Sequence, residues 1–208
     1  DLDDCRIKPS FLVFEPKVHY ELEATFLDTK GNANIQRSLP TVGLQQYSAS
    51  RSGLGQAIDF TGGYNLRTVK NQIDPHLSPD EITVAFWLKK ETDTVEILSK
   101  PTNGGFRIKL NQSRIVTTIG ESNSIECPLE LPDQWTYVVL SAKRNDKQKI
   151  YVNGNLCIES NSGSQSLMGD ANLFIGHSDL IGKMDEIKIW DLELNEGQVA
   201  SLYSSYLD

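Results

Sequence analysis

Short segments of alternating apolar and polar residues follow one another through the middle of this chain. The clearest, residues 81–89, places Ile82, Val84, Phe86 and Leu88 on one face. Alternation with a period of two is typical of strands that bury one face of a sheet. About a dozen such segments, separated by turn residues and without an internal repeat, predict an all-β fold of two sheets packed face to face.

The other strands of this middle part are bounded by turn-forming residues. We expect them at residues 95–100, 105–110, 114–119, 124–129, 134–142, 148–152 and 172–175. Asn153-Gly154 is the clearest turn of the chain, because both residues tolerate the positive φ angles that a type I′ hairpin turn requires.

The first part of the chain carries weaker signals. Alternation over residues 19–26 favours a strand, and the polar residues 35–55 predict a long loop with little regular structure. Residues 56–60 and 64–69 flank Thr61-Gly62-Gly63, a combination that predicts a hairpin.

The end of the chain predicts a closing strand and a short C-terminal helix. Residues 182–190 combine apolar, β-branched and aromatic side chains in a strand-like pattern. Asn195 is a candidate N-cap, with Gln198 at the capping-box position three residues later. Val199 and Leu202 then follow at helical spacing.

Several of these segments together resemble one known family. In chain order they read AIDFTGGY, ITVAFWLK, ILSK, QWTYVVLS with KIYVNGNL, and NLFIGHS followed by GKMDEIKIW. Their order resembles that of laminin-G-like jelly rolls, and the closing segment is similar to those of pentraxins and of clostridial neurotoxin binding domains. The resemblance covers residues 20–203 and implies a concanavalin A-like two-sheet β-sandwich. We expect a single domain over residues 1–208, with residues 1–18 as an N-terminal extension or an edge strand.

The resemblance also implies a calcium site. The segment DTKGNAN, which begins at Asp28, resembles the loop with which many laminin-G-like jelly rolls begin. In those proteins the loop holds Ca²⁺ together with the aspartate of the closing D-E strand, here Asp185. The implied metal residues are Asp28, Gly31, Asn32 and Asp185, in a structural role. The alternative is an Asx-type turn and an edge carboxylate without metal.

Sugar recognition commonly uses an exposed aromatic ring together with polar groups that bind hydroxyls. The three tryptophans fall within strand patterns and are expected in the core. Tyr47, Tyr64 and His76 are therefore the candidate ligand-binding residues, and Tyr206 is a further ring expected to be exposed.

One acidic segment resembles a catalytic motif. ETDTVE, from Glu91 to Glu96, fits the E-x-D-x-x-E signature of laminarinase-type retaining glycosidases. Those enzymes hold two carboxyl groups about 5–5.5 Å apart. Here the segment falls between two strands, and Thr92 and Thr94 stand where the signature has large apolar residues. We therefore expect no enzymatic activity, with a glycoside hydrolase that uses Glu91 and Glu96 as an alternative.

The charge of the chain argues against two classes of binding partner. The formal net charge is -8, which disfavours nonspecific binding to nucleic acid or to anionic membranes. No apolar run approaches the roughly 20 residues of a membrane span. The sequence does not begin with Met, so we expect it to be part of a larger protein.

The three cysteines leave their pairing open. Cys127 and Cys157 are able to pair with each other, Cys5 is able to pair with a segment outside the sequence, or all three are reduced and buried.

Together these observations predict a non-catalytic recognition module of an extracellular or cell-surface protein. Its expected partner is a glycan or another cell-surface macromolecule. The second hypothesis is a protein–protein adhesion or structural domain of a larger surface protein or toxin.

Overall fold

The computed structural model describes residues 14–37, 46–51, 55–61, 63, 65–129 and 134–207. This part of the chain consists of short strands connected by turns, with two α-helices and one 3₁₀ helix. The strands are β1 (Val18–Tyr20), β2 (Gln36–Arg37), β3 (Gln46–Ala49), β4 (Gln56–Asp59), β5 (Leu66–Thr68), β6 (Glu81–Lys90), β7 (Thr94–Lys100), β8 (Phe106–Asn111), β9 (Arg114–Ile119), β10 (Asn123–Pro128), β11 (Thr136–Lys143), β12 (Lys147–Val152), β13 (Asn155–Asn161), β14 (Leu173–Ile175) and β15 (Gly182–Trp190). The helices are α1 (Lys70–Ile73), a 3₁₀ helix (Asp74–His76) and α2 (Glu196–Ser204).

The strands form two antiparallel sheets that share one hydrophobic core. The eight-stranded sheet has the order β13-β12-β11-β6-β15-β4-β3, and β1 pairs with the end of β15. The seven-stranded sheet has the order β10-β9-β8-β7-β14-β5-β2. This arrangement confirms the predicted two-sheet β-sandwich.

Strand β6 lies at the centre of the eight-stranded sheet and is buried on both faces. Ile82, Val84, Phe86 and Leu88 are fully buried in the core between the sheets, as their alternation predicts. Trp87 points to the opposite face, into a second hydrophobic cluster under α2. Full burial of each such apolar side chain contributes about 1.5–3 kcal/mol, so β6 is a major source of stability.

Helix α2 begins with the predicted capping box. The Asn195 side chain accepts a hydrogen bond from the Gln198 N–H at 3.0 Å, and the Gln198 side chain accepts one from the Asn195 N–H at 2.7 Å. Val199 is fully buried against the outer face of the eight-stranded sheet, in the same cluster as Trp190. The helix therefore covers a second apolar face that the sheet alone would leave exposed.

The Asn153-Gly154 turn joins β12 to β13 as predicted. The φ angles of these residues are +49° and +79°. A Cβ atom at Gly154 would lie 2.9 Å from a ring carbon of Tyr203, so glycine also allows the end of α2 to approach the hairpin.

A disulfide joins Cys127 to Cys157, which is one of the pairings that the sequence left open. It links β10 to β13, the edge strands of the two sheets at the same side of the sandwich. The pair is separated by 30 residues, for which loop-closure entropy gives a stabilisation of about 3–4 kcal/mol. Cys5 lies outside the described residues.

The hairpin predicted around residues 61–63 is wrong. Strand β4 pairs with β3 and β15 in one sheet, whereas β5 pairs with β14 and β2 in the other. The chain crosses between the sheets here, and the fully buried Phe60 side chain fills the crossing. A Cβ atom at Gly176 would lie 2.2 Å from the Phe60 ring, so the ring packs directly on that glycine backbone. Turn residues alone do not distinguish a crossing from a hairpin.

The strand predicted over residues 19–26 is much shorter. β1 ends at Tyr20 because Leu22 and Ala24 adopt positive φ angles of +62° and +55°, which leave the extended conformation. Residues 35–55, which the sequence predicts as a long loop, contain the two short strands β2 and β3. Residues 1–13 lie outside the described residues, so the extension predicted for residues 1–18 stays a prediction.

The helical segment between β5 and β6 is not apparent in the sequence. It is held by Lys100, whose fully buried ammonium lies 2.6 Å from the Asp74 carboxylate. The same ammonium donates hydrogen bonds to the carbonyls of Gly169 and Ala171 at 2.8 and 2.7 Å.

In the described part of the chain, neither α-helix has the length and apolar character needed to cross a membrane.

Candidate functional site

The implied calcium loop forms a compact turn around the carboxylate of Asp28. Oδ1 accepts hydrogen bonds from the N–H groups of His19 (2.8 Å) and Lys30 (3.0 Å). Oδ2 accepts them from Asn32 (2.8 Å) and Ala33 (3.0 Å). Gly31 lies at the tip of this turn with a φ of +75°. The Asp28 carboxylate thus organises the turn through four main-chain donors, as in the Asx-type alternative.

Asp185 lies in a bulge of β15, at the point where the neighbouring strand changes from β4 to β1. It is 4% exposed, and its carboxylate accepts hydrogen bonds from the N–H groups of Glu186 (2.9 Å) and Arg51. Burial, reinforced by the negative charge of Glu186, raises the pKa of Asp185 to about 7. Among the described residues, no hydrogen bond or ion pair joins this carboxylate to the Asp28 turn.

The described residues contain no group of three or more His, Cys, Asp or Glu side chains arranged to hold a metal ion. The implied site also uses backbone carbonyl and amide oxygens, which the Asp28 turn supplies. The assignment of Ca²⁺ to Asp28, Gly31, Asn32 and Asp185 therefore stays a prediction.

The residue after Asp185 organises a charged network on the outer face of the eight-stranded sheet. Glu186 has a φ of +51°, and its Oε2 lies 2.9 Å from both His19 Nε2 and Lys188 Nζ. Burial alone would raise the pKa of Glu186, but the bond from His19 and the charge of Lys188 outweigh it and hold the pKa at about 2. Tyr206 completes the network, since its hydroxyl accepts a bond from Lys188 at 2.7 Å. These contacts fix the chain beyond α2 to β15.

The described candidates for ligand binding lie in different parts of the fold. Tyr47 lies on β3 and packs against the main core, whereas His76 ends the 3₁₀ helix that follows the other sheet's β5. Tyr64 lies outside the described residues. Tyr206 is half-buried in the cluster under α2. Their assignment as ligand-binding residues stays a prediction.

The acidic residues of the glycosidase-like motif are spread over two kinds of element. Glu91 and Asp93 lie in the connection between β6 and β7, and Asp93 pairs with Lys90 at 3.0 Å. Glu96 lies on β7, where a bulge follows it. The three acids therefore do not share one face of one strand.

The outer face of the seven-stranded sheet carries a row of side chains that crosses all of its strands, which we call the outer row. From β10 to β2 the row consists of Ser124, Thr118, Arg107, Ser99, Phe174, Arg67 and Gln36. Side chains alternate between the faces of a strand, and the neighbours Leu66, Leu173 and Ile175 are fully buried in the core. The outer row therefore points away from the core.

Phe174 differs from the rest of the outer row because it is aromatic. It is half-buried, and neither hydrophobic cluster of the described residues includes it. Its register partners on the two flanking strands are Arg67 and Ser99. A half-buried aromatic ring is thus placed between polar side chains on the outer face of this sheet.

The polar groups beside Phe174 are partly held in place. Ser99 donates a hydrogen bond to Glu96 at 2.6 Å, and Arg107 Nε lies 3.9 Å from the other oxygen of Glu96. The Nε atom of Arg67 is buried and has no hydrogen-bond partner among the described residues. Guanidinium, hydroxyl and carboxylate groups supply both donors and acceptors, which is the combination that sugar hydroxyls require.

Sequence reasoning missed the outer row, although part of its signal is present. In NLFIG the residues on both sides of Phe174 are aliphatic, and period-two alternation would place the phenylalanine on the opposite face. The row itself depends on pairing between strands distant in sequence, which no local pattern reveals.

Comparison with known proteins identifies related sequences. Residues 61–200 match the family model described as the concanavalin A-like lectin/glucanases superfamily. Botulinum neurotoxin type F from Clostridium botulinum is 25% identical over 206 residues, an alignment that covers 76% of this chain. The chain spans only 16% of that toxin.

Solved structures share the fold at low sequence identity. The binding domain of Paraclostridial Mosquitocidal Protein 1 has a TM-score of 0.76 and 15% identity, covering 93% of this chain and 53% of that one. The botulinum neurotoxin serotype G binding domain has a TM-score of 0.75 and 14% identity, covering 92% and 51%. A structure of botulinum neurotoxin type C, which depends on interaction with two ganglioside molecules to enter cells, has a TM-score of 0.69 and 16% identity, covering 92% and 51%. The chain thus spans about half of each of these structures.

Proposed function

The chain belongs to the concanavalin A-like lectin/glucanases superfamily, and from this membership we propose that it is a non-catalytic module that binds a cell-surface glycan. The similar solved structures include toxin binding domains, and one of these toxins interacts with gangliosides, which are glycolipids. The observation that carries the proposal is the outer row, where the half-buried Phe174 lies between polar side chains on the outer face of the seven-stranded sheet.

Phe174 would stack on the apolar face of a sugar ring in this account. Arg67 lies one strand away on one side, where its guanidinium would bond sugar hydroxyls. Ser99, on the other side, is fully buried and donates to Glu96, so it would act through that carboxylate. The buried Arg67 Nε has no hydrogen-bond partner among the described residues, and a ligand oxygen that reached it would satisfy this donor. A ring bordered by such donors favours a glycan over a purely apolar ligand.

The module would work outside the cell as part of a larger protein. The chain covers a small part of the type F toxin and about half of the similar binding domains. The Cys127–Cys157 disulfide supports an extracellular location, because disulfides persist mainly in oxidising compartments.

A glycan array tests the proposal with three proteins: the unaltered chain, Phe174→Ala and Phe14→Ala. Loss of the Phe174 ring should weaken binding about tenfold or more, as expected for a central aromatic contact. Phe14 is the matched control, since it is 36% exposed and the bond that it accepts from Trp190 goes to its main-chain oxygen, which alanine retains. Equal binding by Phe174→Ala and the unaltered chain would place the glycan elsewhere. A blank array would reject glycan binding in favour of protein adhesion.

The non-catalytic part of the proposal is tested separately. The spread of Glu91, Asp93 and Glu96 over a connection and a strand supports binding without hydrolysis. We expect no release of reducing sugar from any glycan that the array identifies. Hydrolysis that disappears in Glu91→Gln and Glu96→Gln variants would establish the glycoside hydrolase instead.

Calcium remains a structural proposal, in which carbonyl and amide oxygens of the Asp28 turn and Asp185 supply the ligands. A chelator should then lower the melting temperature, and Asp28→Ala or Asp185→Ala should abolish the difference between calcium and chelator. Identical melting curves of the unaltered chain in both conditions would remove calcium from the account.

A further inference from the structure

A polar cleft of about 350 Å³ opens between the turn that joins β11 to β12 and the segment at the end of β13. We call it the edge cleft. Sites for small molecules have volumes of about 300–1,000 Å³, so the edge cleft has room for one small ligand. The residues that line it are Asn145, Asp146, Asn161, Gly163 and Ser164.

Main-chain hydrogen bonds hold the two walls of the edge cleft together. The Asn145 N–H donates to the Gly163 carbonyl at 2.8 Å, and the Ser162 N–H donates to the Asp146 carbonyl at 3.1 Å. Ser162 itself is fully buried. The walls are therefore joined by the backbone, and the shape of the cleft does not depend on its lining side chains.

The side chains that line the edge cleft are polar and free to bind a ligand. They are the amides of Asn145 and Asn161, the carboxylate of Asp146 and the hydroxyl of Ser164. All four residues are exposed, and none of these side chains makes a hydrogen bond or an ion pair with another described residue. Amides and hydroxyls donate and accept, whereas a carboxylate only accepts. This combination suits a ligand with several hydroxyl groups.

The charge of Asp146 limits which ligand of this kind fits the edge cleft. The neighbouring cations pair with other carboxylates, namely Lys143 with Glu81 at 2.8 Å, Arg144 with Asp80 at 3.3 Å and Lys147 with Glu159 at 3.5 Å. The Asp146 carboxylate therefore has no counter-ion among the described residues, and it repels acidic sugars. The described lining residues also supply only one carboxylate, so they do not favour a divalent cation.

We propose that the edge cleft binds one neutral hexose unit, whose hydroxyls bond to Asp146 and to the two amides. The described lining residues include no aromatic ring, so the contacts are polar. The Kd for a single hexose should therefore be about 1 mM or weaker.

The edge cleft is a second sugar site and does not require the outer row. Asn123, which precedes Ser124 of that row, donates to the Ser162 carbonyl at 3.2 Å, so the cleft lies beside the β10 end of the row. Phe174 is four strands away from β10, which corresponds to about 19 Å. A single hexose in the edge cleft therefore does not contact Phe174.

Nuclear magnetic resonance of the ¹⁵N-labelled chain, titrated with the methyl glycosides of glucose, galactose and mannose, tests the site. We expect saturable amide shifts at Asn145, Asp146 and Asn161 with at least one of them. Asp146→Asn keeps the size of the side chain but removes its charge, and should weaken this binding about tenfold or more. Asp179→Asn is the matched control, since that carboxylate lies between β14 and β15, is 77% exposed and should leave the Kd unchanged.

Two further titrations separate the other possible ligands. The methyl uronide that corresponds to the bound hexose carries a carboxylate, so it should bind about tenfold more weakly, and Asp146→Asn should reduce this difference. The proposal is overturned if calcium chloride alone shifts the cleft amides, if all three hexosides leave them unshifted, or if Asp146→Asn binds the hexoside as tightly as the unaltered chain. Loss of glycan binding in Phe174→Ala concerns the outer row alone, so failure of either site is distinguished from failure of the other.

Discussion

Replacing Asp28 by alanine should destabilise the protein by about 3–6 kcal/mol. Its carboxylate accepts four main-chain hydrogen bonds, and a bond to a charged group contributes about 1.5–3 kcal/mol. The donors of Lys30 and Asn32 belong to the solvent-facing turn and regain water when the carboxylate is lost. Those of His19 and Ala33 lie against β1 and the core, so the estimate counts these two bonds alone.

Denaturant unfolding of Asp28→Ala, Asp28→Asn and Asp179→Ala in the presence of a chelator measures this effect. The asparagine variant keeps one acceptor oxygen and should lose about half as much stability as the alanine variant. Asp179 is the control, because its side chain is 77% exposed and its removal should change stability by no more than about 0.5 kcal/mol. A loss below about 1 kcal/mol for Asp28→Ala would refute the view that this carboxylate organises the turn.

Three further predictions concern stability. Burial raises the pKa of Asp185 to about 7 in the folded protein, compared with about 4 in the unfolded chain. The stabilisation of the folded state by the protonated Asp185 is therefore greatest below pH 4 and is lost as the pH rises through 7. Relative to Asp185→Asn, the unaltered chain should lose up to about 4 kcal/mol over this range in chelator, and equal pH profiles would contradict this. Cys127→Ser with Cys157→Ser should lower the unfolding free energy by about 3–4 kcal/mol, and no change would show that the cross-link does not constrain the unfolded chain. Asn195→Ala removes a helix cap and should cost about 1 kcal/mol in the same assay, against no change for Asn155→Ala in the exposed strand β13.

Local chemistry made the central strands and the closing segment predictable. β6 follows the alternation of its aliphatic side chains, and Asn153-Gly154 forms the turn that its two residues favour. The capping box at Asn195 likewise depends on residues three positions apart. Each of these features is determined by neighbours in sequence, so the sequence pattern and the structure agree.

Features that depend on distant partners were not predictable. The segment after Phe60 crosses between sheets because β4 and β5 find separate partners, and β15 and β14 come more than a hundred residues later. The helical segment at Asp74 depends on the buried ammonium of Lys100. The outer row around Phe174 likewise exists only once seven strands are paired. Tertiary contacts outweighed local preference in each case.

Nuclear magnetic resonance with ¹⁵N-labelled protein and a glycan selected by the array tests the central claim most directly. The account predicts that amide shifts on ligand addition concentrate at Arg67, Ser99, Arg107 and Phe174 in the outer row. Shifts confined to the eight-stranded sheet, or no shifts at saturating glycan, would contradict it.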